Sequence, residues 1–218
     1  MQLLYEFQRI FKKKNLKLLL TPYEIIPIGS EACLVEMVQD STSLDSLKKN
    51  LYQKYNRKIS LFEFFSLYFG SKKINKARRN FCNSLSAYCL VSYFLQLKDR
   101  HNGNILLHRD GRIVHIDFGF LFTTLPGGAI EKKVPFKLTS EYVAVLGDKS
   151  RSFVVQFRKG FDAICEQKDR ILQMFRLMIS TRARPVKCLE NYELAYKELE
   201  ERLNPPKNQK KRREFVNR

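Results

Sequence analysis

Two short apolar runs separated by a turn, near the middle of the chain, constrain the fold more than any other feature. They lie within residues 98–120, which read KDRHNGNILLHRDGRIVHIDFGF. The Asp-Gly pair inside residues 108–111 is typical of a β-hairpin turn, and the residues on either side are β-prone. The sequence therefore predicts a hairpin with one strand at residues 105–107 and the other at residues 112–116.

A polar side chain stands at each end of this hairpin. Asn104 precedes the first strand and Asp117 follows the second, so we expect the two side chains to emerge close together. Amide and carboxylate oxygens suit Mg²⁺, which keeps several waters and takes further ligands from substrate phosphates. With the polar loop before Asn104 and the Asp-Phe-Gly tripeptide that begins at Asp117, this pair predicts phosphoryl transfer.

The motifs of this stretch resemble the catalytic and metal-binding loops of the phosphoinositide kinases, the lipid branch of the kinase-like fold. The order Asp-Arg-His at residues 99–101 matters, because protein kinases have His-Arg-Asp instead. The segments KDRHNGNI and HIDFGF are similar to those of type III phosphatidylinositol 4-kinases, and PFKLT at residues 135–139 favours the beta-type subgroup. The resemblance extends from about residue 22 to about residue 146.

The resemblance implies an α+β, protein-kinase-like fold with a mostly α-helical large lobe. Residues 1–38 correspond to part of the small lobe and the hinge, residues 39–205 to the large lobe, and residues 206–218 to a basic tail. In the family, the strand with the phosphate-gripping lysine, its covering loop and the acidic partner on the next helix precede the position that matches Met1. We therefore expect either a truncated fragment or a shortened kinase.

Local patterns predict the elements around the hairpin. Apolar residues at helical spacing favour a helix over residues 2–14, and strands are expected at residues 23–28 and 33–38. A Ser-x-x-Glu capping box at Ser60 opens a short helix that Gly70 closes. Further helices are expected at residues 77–96, 139–146, 152–180 and 189–203.

The resemblance also assigns roles to residues beside the hairpin. Asn104 and Asp117 are the expected Mg²⁺ ligands, with Mn²⁺ as the alternative metal, and the metal in turn holds the phosphates of ATP. His101 is the candidate base for the attacking lipid hydroxyl, while Asp99 either orients His101 or is the base itself. Without the surrounding motif, Asn104 and Asp117 would be ordinary turn residues.

Two further groups of residues follow from the resemblance. At the hinge, residues 35–38, the Glu36 carbonyl and the Val38 amide are expected to pair with adenine, because an extended segment leaves such groups available. Leu106 and Ile116 are expected to form the floor of the adenine pocket, although without the motif both would be core residues. Cations of the activation loop are expected either to bind the inositol headgroup or to be merely solvated: Lys132, Lys133 and Lys137.

The chain is strongly basic. Its 218 residues include 40 Lys plus Arg and 22 Asp plus Glu, a formal net charge of +18 that indicates an anionic partner. Charge alone leaves open nucleic acid, a membrane surface or a phosphorylated substrate; the resemblance favours phosphatidylinositol in a membrane and no nucleic acid. The five cysteines have no CxxC spacing, and no run of about twenty apolar residues predicts a membrane span. We expect a cytoplasmic protein on the Golgi or another internal membrane.

The expected function is a lipid kinase that transfers the γ-phosphate of ATP to the 4-hydroxyl of phosphatidylinositol. Two alternatives stay open. A non-catalytic kinase remnant would bind membrane or a partner through its basic surfaces, and a protein kinase of the lipid-kinase-like branch would phosphorylate peptides. The Asn-Gly-Asn triplet at residues 102–104 and the Phe at position 120 argue against the protein kinase.

Overall fold

A computed structural model describes residues 1–29, 32–124, 126, 134–180, 189 and 191–206. Within these ranges the chain is mainly helical, with two small antiparallel sheets. The helices are α1 (Gln2–Lys13), α2 (Leu44–Tyr55), α3 (Leu61–Leu95), α4 (Ser140–Leu146), α5 (Ser150–Cys165), α6 (Lys168–Ser180) and α7 (Tyr192–Leu203). The strands are β1 (Ile25–Pro27), β2 (Cys33–Val35), β3 (Ser41–Ser43), β4 (Ile105–His108) and β5 (Ile113–His115). The predicted α+β class is confirmed.

Helix α1 is amphipathic, as its spacing predicts, and buries one face against the helices that follow the hairpin. Phe7 and Phe11 are almost completely buried. The carboxylate of Glu6 is also buried, and it accepts hydrogen bonds from Arg9 on the same helix and from Arg170 on α6, the latter at 2.7 Å. This ion pair joins the first helix of the chain to α6.

The first sheet consists of β1 and β2 alone, paired antiparallel with Ile25 opposite Val35. Both strands are shorter than predicted, and all their described side chains are exposed. A two-stranded ribbon without a packed face is marginally stable, so only its central residues hold regular strand geometry. A backbone hydrogen bond from Glu36 to the Glu24 carbonyl, at 2.9 Å, extends the pairing irregularly toward the hinge.

The predicted hairpin is present as β4 and β5, with Ile105 opposite His115. Its turn requires glycine at Gly111, where φ is +91°, and the amide of this residue donates to the His108 carbonyl at 2.9 Å. A third strand, β3, pairs with β4 on the other side. Its sequence, Ser-Thr-Ser, has no apolar alternation, so no local pattern predicts this strand.

Helix α3 provides the core against which the hairpin packs. Its start matches the prediction, since the Ser60 hydroxyl accepts the Glu63 amide at 3.2 Å, and Gly70 interrupts the helix with φ of +58° and ψ of +175°. The helix then resumes at once, whereas the sequence predicts a restart at Ala77. Residues 71–76 are mainly exposed and basic, so no apolar periodicity marks this part of the helix.

Helices α3 and α5 run side by side in the same direction. The Ser86 hydroxyl on α3 reaches the Phe153 carbonyl of α5 at 3.5 Å, and the rings of Phe94 and Phe161 lie 5.2 Å apart about two turns later. The predicted helical stretch at residues 152–180 is divided into α5 and α6 by a turn at residues 166–167. None of the helices that the structure describes has the length and apolarity needed to cross a bilayer.

Replacing Gly111 by alanine tests the packing of the hairpin turn on α3. A Cβ at this position would lie 2.7 Å from the Ala77 carbonyl oxygen, in addition to the strain of a positive φ. We expect Gly111→Ala to lower the free energy of unfolding by about 2 kcal/mol or more, measured by urea denaturation. Gly29→Ala, with nothing within 4 Å of its Cβ, is the control and should change stability by less than about 0.5 kcal/mol. Equal effects would contradict this account of the turn.

Candidate active site

A cleft of about 890 Å³ lies between the first sheet and the hairpin. Its lining includes Glu36, Val38, Leu106 and Ile116, so the structure brings together all of the residues predicted to bind adenine. Tyr23, Ile25, Val35, Met37 and Phe118 add apolar surface to the same cleft. A concave site of this size, mostly apolar with a few polar groups, suits a purine nucleotide.

At the hinge, one backbone group of Glu36 and one of Val38 form hydrogen bonds within the protein. The Glu36 amide donates to the Glu24 carbonyl at 2.9 Å, and the Val38 carbonyl accepts the Ser41 hydroxyl at 2.6 Å. The groups predicted to bind adenine are the other backbone group of each residue, namely the Glu36 carbonyl and the Val38 amide. The internal hydrogen bonds are therefore compatible with that assignment.

Asn104 and Asp117 lie next to each other at the open end of the hairpin. The Ile116 amide donates to the Asn104 carbonyl at 3.1 Å, so Asp117 comes one residue after the partner of Asn104. Asn104 is buried, and its Nδ2 donates to the Asp99 carbonyl at 3.0 Å, which directs its side-chain oxygen away from that carbonyl. Asp117 lines the cleft, and its Oδ1 accepts the Gly119 amide at 3.1 Å.

The buried guanidinium of Arg100 connects the loop before the hairpin to the residues after it. It donates to the Lys98 carbonyl at 2.7 Å, to the Ile116 carbonyl at 2.7 Å and to the Asp117 carbonyl at 2.5 Å. Asp117 has a positive φ of 56°, a conformation that costs energy for a residue other than glycine. Arg100 thus supports the strained backbone of the predicted metal ligand, a role that sequence reasoning missed.

The two candidate bases, Asp99 and His101, are adjacent in space. Nε2 of His101 lies 3.8 Å from Oδ2 of Asp99, and Nδ1 accepts the Gly103 amide at 3.0 Å. When neutral, a ring whose Nδ1 accepts a hydrogen bond carries its proton on Nε2, on the side of Asp99. His101 can therefore accept a proton at Nδ1 only after the contact with Gly103 opens.

Two lysines link the catalytic loop, residues 98–104, to the end of the activation loop, residues 134–137. Each donates a hydrogen bond to the other loop. Lys98 donates to the Val134 carbonyl at 2.9 Å, while Lys137 donates to the Arg100 carbonyl at 2.8 Å and to Oδ1 of Asn102 at 3.0 Å. Burial, with a smaller effect of the nearby Lys48, lowers the pKa of Lys137. The structure thus directs Lys137 at the catalytic loop, and Lys132 and Lys133 lie outside the described residues.

A second cavity, of about 530 Å³, opens on this side of the catalytic loop. Its lining includes Asp99 and His101 from the loop and Val134, Phe136 and Lys137 from the activation-loop end. The candidate bases therefore face one cavity and Asp117 faces the other, with Asn104 hydrogen-bonded to Asp99 between them.

His115 supports the hairpin from the side of α3. It is buried and stacks on Tyr88, with ring centroids 4.6 Å apart and planes 15° from parallel. Burial, followed by the charges of Arg100 and Lys137, holds the pKa of His115 well below its ordinary value. The ring is therefore neutral at physiological pH and contributes packing two residues before Asp117.

The chain is similar to known proteins over most of its length. Residues 1–188 match the family model described as phosphatidylinositol 3- and 4-kinase. The chain belongs to this family. It is 34% identical over 199 residues to phosphatidylinositol 4-kinase pik1 of Schizosaccharomyces pombe, a match that covers 84% of this chain and 23% of the relative.

Other relatives of this kinase-family chain carry beta-type names. It is 39% identical over 168 residues to phosphatidylinositol 4-kinase beta 2 of Arabidopsis thaliana, covering 76% of this chain and 15% of the relative. It is 36% identical over 184 residues to phosphatidylinositol 4-kinase beta of Xenopus tropicalis, covering 81% and 22%. The chain thus spans roughly a fifth of the length of these relatives. The family expected from the sequence motifs and the kinase-like fold are both confirmed.

Replacing Arg100 tests whether its guanidinium stabilises the site. Lysine keeps the charge but cannot reach three carbonyls with one planar group, so some of them would be left unpaired. We expect Arg100→Lys to lower the free energy of unfolding by about 2 to 4 kcal/mol in urea denaturation. Arg109→Lys changes an exposed arginine that pairs with Asp40 at 3.2 Å, and it should cost less than about 1 kcal/mol. Similar losses in both variants would rule out a special role for Arg100.

Replacing Lys137 tests whether its hydrogen bonds hold the end of the activation loop against the catalytic loop. In Lys137→Met the backbone amides of residues 134–139 should exchange hydrogen with solvent roughly tenfold faster or more, because hydrogen bonds from a charged donor contribute about 1.5 to 3 kcal/mol. Hydrogen-exchange mass spectrometry measures this rate. Lys73→Met, at an exposed position on α3, should leave the segment unchanged. Unaltered exchange in Lys137→Met would show that the two loops are held together by other contacts.

Proposed function

We propose that this kinase-family chain carries the phosphate-transfer site of a lipid kinase, which moves the γ-phosphate of ATP to the 4-hydroxyl of phosphatidylinositol. The names of the relatives support the lipid and the position phosphorylated. We place the reaction at the cytosolic face of the Golgi or another internal membrane.

One observation carries this proposal. Asp117 lines a cleft of nucleotide size, whereas Asp99 and His101 line the cavity on the other side of the catalytic loop. A phosphoryl donor and an acceptor hydroxyl entering from opposite sides would meet at the loop, as in-line displacement requires. The hydrogen bond from Asn104 to Asp99 keeps the two sides in a fixed relation.

The donor set fits Mg²⁺. Asn104 and Asp117 offer a side-chain amide oxygen and a carboxylate, which are hard oxygen ligands, and Mg²⁺ is commonly bound through one or two carboxylates together with waters and substrate phosphates. When bound, such a metal neutralises charge on the phosphates during transfer. Mn²⁺ accepts the same ligands.

The residues of the chain then have distinct tasks. The hinge carbonyl of Glu36 and the amide of Val38 orient adenine, while Leu106 and Ile116 exclude water from its face. Asp99 or His101 accepts the proton of the attacking hydroxyl, and general-base help of this kind is typically worth about 10² to 10⁴ in rate. Arg100 keeps the loop and Asp117 in register, so the rate comes mainly from positioning and charge.

Asp117→Asn tests this assignment. The purified chain is supplied with γ-labelled ATP, Mg²⁺ and phosphatidylinositol in detergent micelles, and the lipid product is identified by chromatography. We expect the parent to form phosphatidylinositol 4-phosphate and the variant to lose at least about 10²-fold of that rate, because a neutral amide binds the metal more weakly than a carboxylate does. Asp45→Asn, on the first turn of α2, is the control and should retain the parent rate.

The other results separate the alternatives. Label on added peptide but not on lipid would indicate a protein kinase. Absence of product together with absence of ATP binding would indicate a remnant that binds membrane or a partner. Activity of Asp117→Asn within a few fold of the parent would refute the metal assignment.

A further inference from the structure

Helix α5 has an outer face that the site does not use. Its inner face packs into the core through the following residues: Phe153, Phe157, Gly160, Phe161, Ala163 and Ile164. On the opposite face, Arg151, Val154, Val155, Arg158 and Lys159 recur at helical spacing and are all exposed. The outer face is therefore a stripe in which cations alternate with apolar side chains.

Two neighbouring valines of this stripe expose apolar surface between the cations. Val154 is 42% exposed and Val155 is 48% exposed, at neighbouring positions between arginines on either side. Exposed apolar side chains of this kind can enter the boundary of headgroups and acyl chains of a membrane, while the cations beside them meet anionic lipids. Asp162 is the acidic residue near the end of the same face.

Through its inner face, helix α5 packs against a residue that lines the cavity with the candidate bases. Phe157 of α5 contacts Phe136 of the activation-loop end, with ring centroids 5.5 Å apart, and Phe136 lines that cavity. Val134 and Leu138, on either side of Phe136, are 53% and 41% exposed. Exposed apolar side chains of the activation-loop end thus flank the residue that contacts α5.

The positively charged side chains of the stripe are exposed, whereas two nearby lysines donate hydrogen bonds within the protein. Lys98 and Lys137 both donate to backbone carbonyls of the neighbouring loop, which directs their charges inward. Arg151, Arg158 and Lys159 are directed at solvent instead. Among the described residues, α5 therefore contributes outward-facing positive charge close to the activation-loop end.

We propose that the outer face of α5, together with Val134 and Leu138, is the surface through which the chain contacts an anionic bilayer. This inference rests on the proposed lipid kinase function, since a bilayer that contacts Val134 and Leu138 would lie beside the cavity that receives the lipid hydroxyl. The occupant is the lipid surface itself, and anionic headgroups of any type satisfy the arginines as point charges or bidentate partners.

Vesicle sedimentation tests the proposal without ATP or phosphatidylinositol. The full 218-residue chain is mixed with vesicles of phosphatidylcholine and phosphatidylserine, and with vesicles of phosphatidylcholine alone. We expect binding to the anionic vesicles, and a decrease of about tenfold or more in the partition coefficient of Arg151→Glu/Arg158→Glu. Val154→Ser/Val155→Ser keeps every charge and should also weaken binding, because the apolar contribution is lost.

Lys72→Glu/Lys73→Glu is the matched control. It makes the same change in net charge at two exposed positions of α3. These positions lie ten and nine residues before Cys82, the residue of α3 whose thiol contacts the Lys149 carbonyl just before α5. We expect this variant to bind nearly as well as the parent. Equal losses in the two charge-reversed variants would overturn the proposal, because total charge and not the α5 face would then determine binding.

Two more outcomes decide the matter. A parent chain that does not bind phosphatidylserine vesicles, or that binds phosphatidylcholine equally well, would also overturn the proposal. Vesicle binding that depends on α5 in a chain without kinase activity would support the surface while the proposed function fails. Circular dichroism and thermal unfolding of each variant establish that it is folded, as the exposure of all the altered side chains leads us to expect.

Discussion

The site depends on one buried cation. Arg100 hydrogen-bonds to carbonyls of Lys98, Ile116 and Asp117, which belong to segments on both sides of the hairpin. Buried carbonyls need a donor, and these lie where regular strand pairing ends. Because one planar group serves all of them, the catalytic loop and the strained backbone of Asp117 can be held in place only together. The geometry around the predicted metal ligands follows from this constraint.

The features that could be predicted from the sequence are those with a local signal. The Asp-Gly turn predicted the hairpin, the Ser60 capping box predicted the start of α3, and the motifs at residues 99–104 and 115–119 identified the family. Each depends on residues close together in the chain. The cleft assembled from the hinge and from Leu106 and Ile116 followed from family resemblance, because nothing local joins positions so far apart.

The features that were missed depend on distant contacts or on polar residues. Strand β3 is Ser-Thr-Ser and has no apolar pattern, yet pairing with β4 makes it a strand. Lys137 carries a charge that in the sequence suits a headgroup, but folding places its ammonium 2.8 Å from the Arg100 carbonyl. No periodicity distinguishes a lysine that donates to a loop from one that faces solvent, so side-chain direction required the structure.

The central claim is that Asn104 and Asp117 form a metal-dependent phosphate site in the nucleotide cleft. Isothermal titration calorimetry of the chain with ATP, in the presence and in the absence of Mg²⁺, measures this dependence directly. The account predicts that Mg²⁺ raises the affinity of the parent for ATP and leaves the affinity of an Asn104→Ala/Asp117→Ala variant unchanged. An equal gain with Mg²⁺ in parent and variant would contradict it.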